Sequence, residues 1–519
     1  MKLQSVKWTS VMKRAFITGI DGLSPAVLEP ALEGGYMPFL AEMRASGASG
    51  ILASTIPAIT PAAWGTFQTG RSPAANNTLD FVSFDKTTRR LIPASSRTLQ
   101  KTIWQYASDA GMRVCVVNVP MTYPTYPVNG CIVSGILTPN EESDFTWPHE
   151  LKDEILAAMP EYKILNLENI SALQSAGDYQ AVVEALADIV RMRARLGRML
   201  LGRDACEVFM LHFQANDVLQ HLLWPWMDEK SPRFNKERRK YIFEHFHSVM
   251  DEEIRSLYEL FKGDAAEDEI TFLAASDHGF ELHKCAFNLG FWLKERGFIK
   301  LASRKVSWKK RISRFLKVGR ILKSFMKEES VNRLEVKAGV RAASPVDYDN
   351  SLCFTIGKTG EGYLYLLKDE CEETDALLNA LKTIKYHVTG ENILKKIVRP
   401  ADIYSCPIPV NFPDYILLPA DGFSFNGSLH EKVLFAEPEP GIDFHLGKHH
   451  ADGFYIAAGA GIGPAAQDRN IIDITPMLLE RLGIDLPAGL ESEADISIKD
   501  TDEDTSEEMR RRLTDLGYM

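Results

Sequence analysis

Short apolar runs recur along this chain at a length typical of buried β-strands, and stretches with helical spacing separate them. The predicted strands are AFITGI, VCVVNV, VFMLHF, EITFLAAS and FYIAAGA, and the predicted helices include MPFLAEMRASG, TIWQYASDAG and residues 178–201. Continuous apolar strands that alternate with helices are typical of parallel sheets covered on both faces. The pattern therefore predicts an α/β fold with a central, mostly parallel sheet and helices on both faces.

Aspartate and histidine residues follow several of these predicted strands. Asp21 follows the first run, Asp217 the third, and the pair Asp277 and His278 the fourth. Ligands of open α/β sheets bind beyond the carboxyl ends of the strands, so we expect these side chains at one edge of the sheet. Any one of them alone is equally well explained as a helix N-cap or a turn aspartate, but together they predict a functional site.

Two pairs of these residues have spacings that suit metal binding. Asp217 and His221 are four residues apart, which places both side chains on one face of a helical turn, and Asp277 and His278 are adjacent and followed by Gly279. Mixed carboxylate and imidazole ligands favour zinc or manganese over calcium. Two such ions about 4 Å apart are a known solution for in-line displacement at phosphorus.

Thr60, in the segment STIPAITPAAW, is the candidate nucleophile. A threonine hydroxyl is unreactive near neutral pH, and metal coordination is one way to activate it. Pro61 suits the first turn of a helix, so Thr60 is expected at a helix N-terminus, where backbone N–H groups favour an anion. A plain N-cap threonine would have the same local sequence. Ser54 and Thr55 are weaker candidates.

The overall charge argues against nucleic acid as a partner. The chain has 519 residues and a formal net charge of −11, with an isoelectric point of about 5.7. An acidic protein that acts on phosphate esters needs local positive charge, which bound metal ions would supply. The length and the 45% apolar content predict a large core and more than one domain.

The cysteines and the N-terminal residues favour a cytoplasmic location. Seven cysteines are widely scattered and form no C-x-x-C pair, which is typical of reduced thiols. The N-terminal segment MKLQSVKWTSVMKRAFITGIDG lacks the apolar h-region of a secretory signal. No window approaches the ~18 uninterrupted apolar residues that a membrane span requires.

The composition changes abruptly between Arg304 and Lys327. This segment contains ten lysine and arginine residues and no acidic residue, and its apolar residues fall at helical spacing on one side. A basic amphipathic helix of this kind can lie on an anionic membrane surface. Alternatively, it packs its apolar stripe on the core of an inserted helical subdomain, which is the favoured interpretation. Peripheral membrane contact through residues 304–327 is therefore one of two interpretations of this segment.

The motifs, taken in order, resemble those of the alkaline phosphatase superfamily, and more closely its type I phosphodiesterase/nucleotide pyrophosphatase-like branch. Predicted phosphohydrolase-or-phosphomutase proteins of bacteria and archaea are the most similar group. The resemblance extends from about residue 15 to about residue 487, and its motifs are GIDG, MPFLAEM, STIPAITPAAWGTFQTGRSP, VVNVPMTYPTYPVNGCIVSGILTP, SDHGF, FPDYILL, GKHHADGFYIAAGAGI and DITPMLLERLGIDLP.

This resemblance implies a complete set of metal ligands. One divalent ion would be held by Asp21, Thr60, Asp277 and His278. The other would be held by Asp217, His221 and His449. His449 is selected because it stands four residues before Gly453, as in the H-x-x-x-G motif of the family. His445 and His450 are assigned no ligand role. Thr60 would attack phosphorus and form a phospho-threonine intermediate, which water or an acceptor hydroxyl then releases.

The resemblance also implies a domain organisation. An alkaline phosphatase-like core would comprise residues 1–300 and 401–487, with an inserted or cap region at 301–400 and an acidic linker and C-terminal helix at 488–519. Substrate contacts are suspected near Asn118, near Thr122 and in the region 300–400. The oligomeric state is not indicated.

Three positions depart from the family pattern. Asn76 and Asn77 stand where related proteins have His-Gly, and Phe81 stands where nucleotide pyrophosphatases have an asparagine that contacts a phosphoryl oxygen. These departures weaken a nucleotide pyrophosphatase assignment and leave the metal ligands unaffected. A sulfatase is disfavoured because Thr60-Pro61-Ala62 offers no formylglycine precursor.

The sequence thus predicts a two-metal phosphohydrolase that cleaves a small-molecule phosphate monoester or diester, with zinc or manganese as the metal. One alternative is a metal-dependent phosphomutase or phosphotransferase, with residues 300–400 as its cap. A third hypothesis is a non-catalytic protein that associates with a membrane surface through the basic segment 304–327.

Overall fold

A computed structural model of the protein describes residues 14–164, 170–266, 269–302, 346–441, 443, 445–459, 461–487 and 490. The basic segment 304–327 lies outside these residues, and so does the predicted linker and C-terminal helix of 488–519, except for Leu490. No helix within the described ranges combines the length and the apolar composition needed to cross a membrane.

A ten-stranded sheet forms the centre of the fold, and its five middle strands are parallel to one another. The strands lie in the order Ala465–Ala466, Ala48–Ala53, Asp452–Gly459, Ile270–Ala275, Arg14–Ile20, Val208–Phe213, Val114–Val117, Gly130–Val133 and Thr146–Trp147, and Arg469–Asn470 also pairs with Ala48–Ala53. The parallel set extends from Ile270–Ala275 to Gly130–Val133. This arrangement confirms the predicted α/β class with a mostly parallel central sheet.

Alternate residues of the central strands enter two separate cores because successive side chains of a strand point to opposite faces. On the strand Arg14–Ile20, Phe16 packs with Phe272 in one core, with ring centroids 5.9 Å apart, whereas Ile17 belongs to the other core. Both cores are covered by helices, so every residue of Ile270–Ala275 is buried. Burial on both faces explains why these strands have continuous apolar sequences.

Helices cover both faces of the sheet. On the side of Phe16 the buried residues come from helices Pro25–Glu33, Pro38–Ser46, Leu151–Ala158, Ile170–Ser175, Tyr179–Arg203, Ala215–Met227, Lys236–Ile242 and Ser248–Lys262, with a π-helical turn at Phe243–His247. On the side of Ile17 they come from Thr60–Thr69, Ile103–Asp109 and Ile474–Leu482. Short 3₁₀ turns lie at Ser96–Thr98 and Ile471–Asp473.

The chain divides into two compact units. The first comprises residues 1–80, 95–282 and 438–519 and contains the ten-stranded sheet, and the second comprises 81–94 and 283–437. The described part of the predicted inserted region 301–400 falls within the second unit, which begins earlier, ends later and includes a preceding hairpin. That hairpin consists of Val82–Asp85 and Arg90–Pro93.

Two four-stranded sheets build the second unit. One has the strand order Cys353–Phe354, Gly362–Leu366, Tyr415–Pro419 and Leu394–Val398. The other has the order Lys358–Gly360, Phe423–Asn426, Cys285–Phe287 and Phe435–Ala436. Its described helices are Leu289–Glu295, Glu372–Lys382 and Pro400–Ile403.

A buried carboxylate from a different helix caps the N-terminus of the helix Pro38–Ser46. Asp251 is 1% exposed and accepts the backbone N–H groups of Phe39 at 2.8 Å and Leu40 at 2.9 Å, while the N-cap residue Met37 supplies no side-chain bond. We expect Asp251→Ala to lower the free energy of unfolding by about 2 kcal/mol, because it leaves two buried donors unpaired.

Urea denaturation measures this effect, and the exposed neighbour Glu252 provides the matched control through Glu252→Ala. The metal content of both variants is expected to equal that of the wild type. Equal unfolding free energies for Asp251→Ala and Glu252→Ala would show that the two hydrogen bonds contribute nothing to stability.

Candidate active site

The predicted ligands lie beyond the carboxyl ends of three adjacent parallel strands. Asp21 directly follows Arg14–Ile20, and Asp277 lies two residues after Ile270–Ala275. The helix Ala215–Met227 begins two residues after its strand and carries two further ligands in its first two turns. Because parallel strands end at the same edge of a sheet, these residues come together although they are far apart in sequence.

The first cluster, called cluster A here, consists of Asp21, Asp277 and His278. Their ligand atoms all lie within 4.8 Å of one another. Nε2 of His278 is 3.3 Å from Oδ2 of Asp277 and 3.6 Å from Oδ1 of Asp21. All three side chains are at most 1% exposed, so the cluster is closed to bulk water on most sides.

The second cluster, cluster B, consists of Asp217, His221 and His449 and meets the same 4.8 Å criterion. Oδ1 of Asp217 is 3.2 Å from Nε2 of His449 and 3.5 Å from Nε2 of His221. Asp217 and His221 share one face of their helix, as their spacing predicts. His449 enters from the strand Gly447–His450, which is paired with Gly279–Leu282.

Clusters A and B are direct neighbours. The imidazole rings of His278 in cluster A and His449 in cluster B are stacked, with centroids 3.7 Å apart. Antiparallel pairing of their strands produces this contact, since His449 is in register with Phe280, two residues after His278. Six of the seven predicted ligands therefore form one continuous site with two centres.

Each of the three histidines has its Nδ1 occupied by a backbone carbonyl. Nδ1 of His221 lies 2.9 Å from the oxygen of Gly447, Nδ1 of His449 lies 3.1 Å from that of Ala58, and Nδ1 of His278 lies 3.2 Å from that of Gly279. A carbonyl oxygen only accepts hydrogen bonds, so Nδ1 carries the proton and Nε2 keeps a lone pair in the neutral ring. This is the outer-shell arrangement typical of metal-ligating histidines.

The Nε2 atoms consequently face other acceptors instead of donors. Nε2 of His449 lies 3.1 Å from Nε2 of His221, and both approach a carboxylate oxygen of Asp217. In cluster A, both carboxylate oxygens of Asp21, Oδ2 of Asp277 and Nε2 of His278 are buried without a hydrogen-bond partner among the described residues. Lone pairs that converge in this way require a positive charge between them. The carboxylate oxygens and imidazole nitrogens of both clusters therefore fit divalent metal ions.

The electrostatics of the metal-free protein show the same demand for positive charge. Burial raises the pKa of Asp21 well above its usual range, and the charge of Asp217 raises it further. Burial and the charge of Asp21 likewise raise the pKa of Asp277. Burial would lower the pKa of His449, but in the protonated ring Nε2 can donate to Asp217, and this bond and the negative charge of Asp217 outweigh burial and raise the pKa.

Metal binding is therefore expected to release protons. The raised pKa values of Asp21, Asp277 and His449 mean that the metal-free site retains protons at a higher pH than separate groups would, and a cation displaces them. Affinity for zinc or manganese should fall as the pH decreases. Calorimetric titration at about pH 6 in two buffers of different ionisation enthalpy counts the protons released. An enthalpy that is independent of the buffer would contradict this prediction.

Thr60 is the first residue of the helix Thr60–Thr69, and it is 4% exposed. The N-cap residue is Ile59, and its side chain makes no capping bond, so Thr60 is not a plain N-cap threonine. The carbonyl of Ala58, two residues before Thr60, accepts the hydrogen bond from Nδ1 of His449 at 3.1 Å. The segment that leads to Thr60 is therefore fastened to cluster B.

The same helix also approaches cluster A. Trp64, one turn after Thr60, packs edge-on against His212 with ring centroids 4.7 Å apart, and Nε2 of His212 is 3.0 Å from Oδ2 of Asp21. Because residues four apart share a helix face, Thr60 lies on the face that is turned toward the strand of Asp21. The nucleophile predicted from the sequence thus belongs to a helix that contacts the surroundings of both clusters.

Other residues considered in the sequence have local roles. Nδ1 of His445 lies 3.1 Å from Nδ1 of His221, and Nδ1 of His450 accepts the backbone N–H of Asp452 at 3.2 Å. Thr55 donates to the carbonyl of Pro57 at 2.6 Å. Of the weaker nucleophile candidates, Thr55 is therefore engaged in its own loop. Ser54 is buried, and its hydroxyl has no hydrogen-bond partner among the described residues.

The departures from the family pattern have structural explanations in part. The Asn76 amide donates to Oγ1 of Thr69 at 2.9 Å and to the carbonyl of Arg71 at 3.0 Å, and it accepts the N–H of Gln100 at 3.1 Å. Asn76 therefore holds the turn after the Thr60 helix. Phe81 belongs to the second unit, and its side chain has no polar atom that could contact a phosphoryl group.

The suspected substrate contacts near the end of Val114–Val117 are only partly free. Thr122 donates to the carbonyl of Val119 at 2.6 Å, and Asn118 donates to the hydroxyl of Tyr162 at 3.0 Å. Asn118 has a positive φ of 58°, and its Oδ1 is buried without a partner among the described residues. Only Asn118 thus keeps an available polar atom.

Three buried polar residues around the site were missed in the sequence. His212 is the fifth residue of an otherwise apolar strand, and burial lowers its pKa to about 3. Asn216 and Gln220 each stand one residue before a predicted ligand. The polar interruption of VFMLHF was the available signal for His212, and the i, i+4 spacing was the signal for the two amides.

A central parallel sheet with two adjacent clusters of carboxylates and imidazoles at its carboxyl edge defines the class, which is that of metal-dependent phosphoric ester hydrolases with an alkaline phosphatase-like fold. Residues 16–346 match the profile of the family described as type I phosphodiesterase/nucleotide pyrophosphatase. The chain therefore belongs to this family, as the resemblance of its motifs predicts. No curated protein matches the chain.

Solved structures with the same fold include two of known activity. Human ectonucleotide pyrophosphatase/phosphodiesterase 5 is 12% identical, with a TM-score of 0.50 over 92% of this chain and 96% of that chain. Phosphonoacetate hydrolase from Sinorhizobium meliloti 1021, in complex with phosphonoacetate, is 15% identical, with a TM-score of 0.54 over 91% of this chain and 96% of that chain. At these identities the similarity shows the fold alone.

Proposed function

We propose that this protein hydrolyses a small-molecule phosphate monoester or diester through a phospho-threonine intermediate at Thr60. The observation that carries the proposal is the convergence of lone pairs in clusters A and B. Nε2 atoms of His221 and His449 lie 3.1 Å apart with both Nδ1 protons already used by carbonyls. Two zinc or manganese ions would satisfy these donors, because both metals accept mixed imidazole and carboxylate ligands.

The two clusters and the Thr60 helix would have different roles in the reaction. When bound, the two ions supply positive charge for the developing negative charge at phosphorus and lower the pKa of a coordinated hydroxyl or water. Cluster A, joined by the hydroxyl of Thr60, would hold the ion that activates the nucleophile, and cluster B would hold the other. The helix that begins at Thr60 contributes backbone N–H groups at its N-terminus, which favour an anionic group there.

Acid quenching during turnover tests the intermediate. With p-nitrophenyl phosphate as substrate, mass spectrometry of the quenched protein should show one added phosphoryl group, and peptide mapping should locate it at Thr60. Phosphorylation at Ser54 or Thr55 would contradict the assignment. Product analysis then separates the two reaction types, because a hydrolase releases free phosphate whereas a phosphomutase or phosphotransferase gives a new ester.

We also propose that the protein works in the cytoplasm. Support comes from the seven cysteines, which all remain as free thiols. Cys115 and Cys131 lie on adjacent strands with their sulfur atoms 3.5 Å apart, and they are not joined. Reduced neighbouring thiols are typical of a reducing compartment.

A further inference from the structure

The helix Ala215–Met227 presents two pairs of polar residues at the same spacing. Asp217 and His221 form the ligand pair of cluster B, and Asn216 and Gln220 precede them by one residue each. A shift of one residue turns a side chain by about 100° around the helix axis, so the amide pair faces a different neighbour. Both amides are 0% exposed.

The neighbour of the amide pair is the loop that carries Asp21 of cluster A. Asn216 donates from Nδ2 to the carbonyl of Asp21 at 2.8 Å, and Gln220 donates from Nε2 to the carbonyl of Gly22. Gln220 also accepts the N–H of Ser24 through Oε1 at 3.3 Å. Three hydrogen bonds thus bind one loop of cluster A to the helix of cluster B.

The loop is closely packed at Gly22, where no side chain would fit. Gly22 has a φ of 68°, and a Cβ atom at this position would lie 2.5 Å from the ring of Phe280 and 3.3 Å from Oδ1 of Asp217. On its other side, the N–H of Gly22 donates to Oδ1 of Asp277 at 3.1 Å. Asp277 of cluster A and the amide pair therefore bind the same turn.

A purely structural explanation would be that the amides only satisfy backbone groups of a buried turn. That explanation does not require the two amides to stand next to the ligand pair of cluster B on the helix. The contacts found here join residues 195 and 198 positions apart in sequence, and each segment that they join carries a ligand of a different cluster. These bonds therefore link the segment that carries Asp21 directly to the helix that carries Asp217 and His221.

We propose that Asn216 and Gln220 are positioning residues that set the separation of the two metal centres. This inference rests on the proposed two-metal function. Two-metal sites that catalyse in-line displacement hold their ions about 4 Å apart, and a misplacement of about 1 Å can reduce the rate by about 10²-fold. Loss of the amide bonds should therefore affect the ion of cluster A and the rate more than the ion of cluster B.

The test is Mn²⁺ binding to the full chain, with Gln220→Glu and Asn216→Ala as variants and Gln214→Glu as the matched control. Gln220→Glu retains the shape of the side chain and removes the N–H group that donates to the carbonyl of Gly22. Gln214 is the N-cap residue of the same helix, and its side chain makes no capping bond. Equilibrium dialysis gives the affinity for each ion. Electron paramagnetic resonance reports whether two bound Mn²⁺ ions are close enough to be spin-coupled.

We expect the wild type and Gln214→Glu to bind two coupled ions. In each amide variant one ion should bind with nearly unchanged affinity and the other about 10- to 100-fold more weakly, with a lower kcat. Equal weakening of both ions, or unchanged coupling and kcat, would overturn the inference. Failure of the wild type to bind two ions would instead contradict the proposed function. Thermal unfolding establishes that each variant is folded, and Asn216→Ala decides if Gln220→Glu is not.

Discussion

Thr60→Ala is expected to lower turnover at least ~10³-fold while both metal ions remain bound, because the attacking oxygen is lost and the electrostatic stabilisation stays. Thr60 is buried at the first position of its helix, and the six side chains of clusters A and B would provide the remaining ligands. Steady-state hydrolysis together with metal analysis of the same preparation measures both parts of the prediction.

Thr60→Ser is the matched control, since it restores a hydroxyl at the same position and should keep turnover within about 10-fold of the wild type. Near-normal activity of Thr60→Ala would falsify the assignment of Thr60 as the nucleophile. Activity that is lost in both variants would also contradict it, because the serine hydroxyl would then be unable to replace that of threonine.

Asp217→Asn is expected to reduce the metal content from two ions to about one per chain and to lower turnover at least ~10³-fold. Its carboxylate approaches both histidines of cluster B, at 3.2 Å and 3.5 Å. Burial raises the pKa of Asp217, but His221 and His449 outweigh that effect and hold it below the usual range, so this carboxylate is ionised near neutral pH. The amide lacks the negative charge that balances a divalent ion.

Asp452→Asn is the matched control for this substitution. Asp452 is 40% exposed and lies 3.7 Å from Nδ1 of His450, outside both clusters. Metal content and turnover should be unchanged in the control. Two tightly bound ions in Asp217→Asn would show that cluster B is not a metal centre.

The sheet and the polar residues at its carboxyl edge were predictable because each has a local signal. Continuous apolar runs indicated the central strands, and polar residues directly after them, such as Asp21 and Asp277, indicated the active edge. The parallel arrangement then brings these strand ends together without further information. For this reason the order of short motifs was sufficient to predict the fold class and the family.

Contacts between distant segments were not predictable in the same way. The pairing of Gly279–Leu282 with Gly447–His450, which stacks His278 on His449, depends on strand register across the chain. The hydrogen bonds of Asn216 and Gln220 to the Asp21 loop depend on how a helix packs against a turn. The hairpin of residues 81–94 joins the second unit across about 190 residues, and no local pattern indicates this.

Local sequence also left the role of Thr60 open between an N-cap and a nucleophile. The structure argues against the first, because Ile59 is the N-cap and Pro61 is the second residue of the helix. The role of Thr60 as the nucleophile stays a prediction. A proline at this position needs no hydrogen-bond acceptor for its nitrogen, so it fits the first turn of the helix. One residue of register, which propensities do not determine, separates the two alternatives.

The most direct test of the account is the metal content of the purified protein by mass spectrometry, measured together with hydrolysis of p-nitrophenyl phosphate and bis-p-nitrophenyl phosphate. The account predicts close to two equivalents of zinc or manganese and turnover of one of the two esters, which would also distinguish a phosphatase from a phosphodiesterase. A protein that binds no divalent metal and turns over neither ester would contradict the assignment of clusters A and B together.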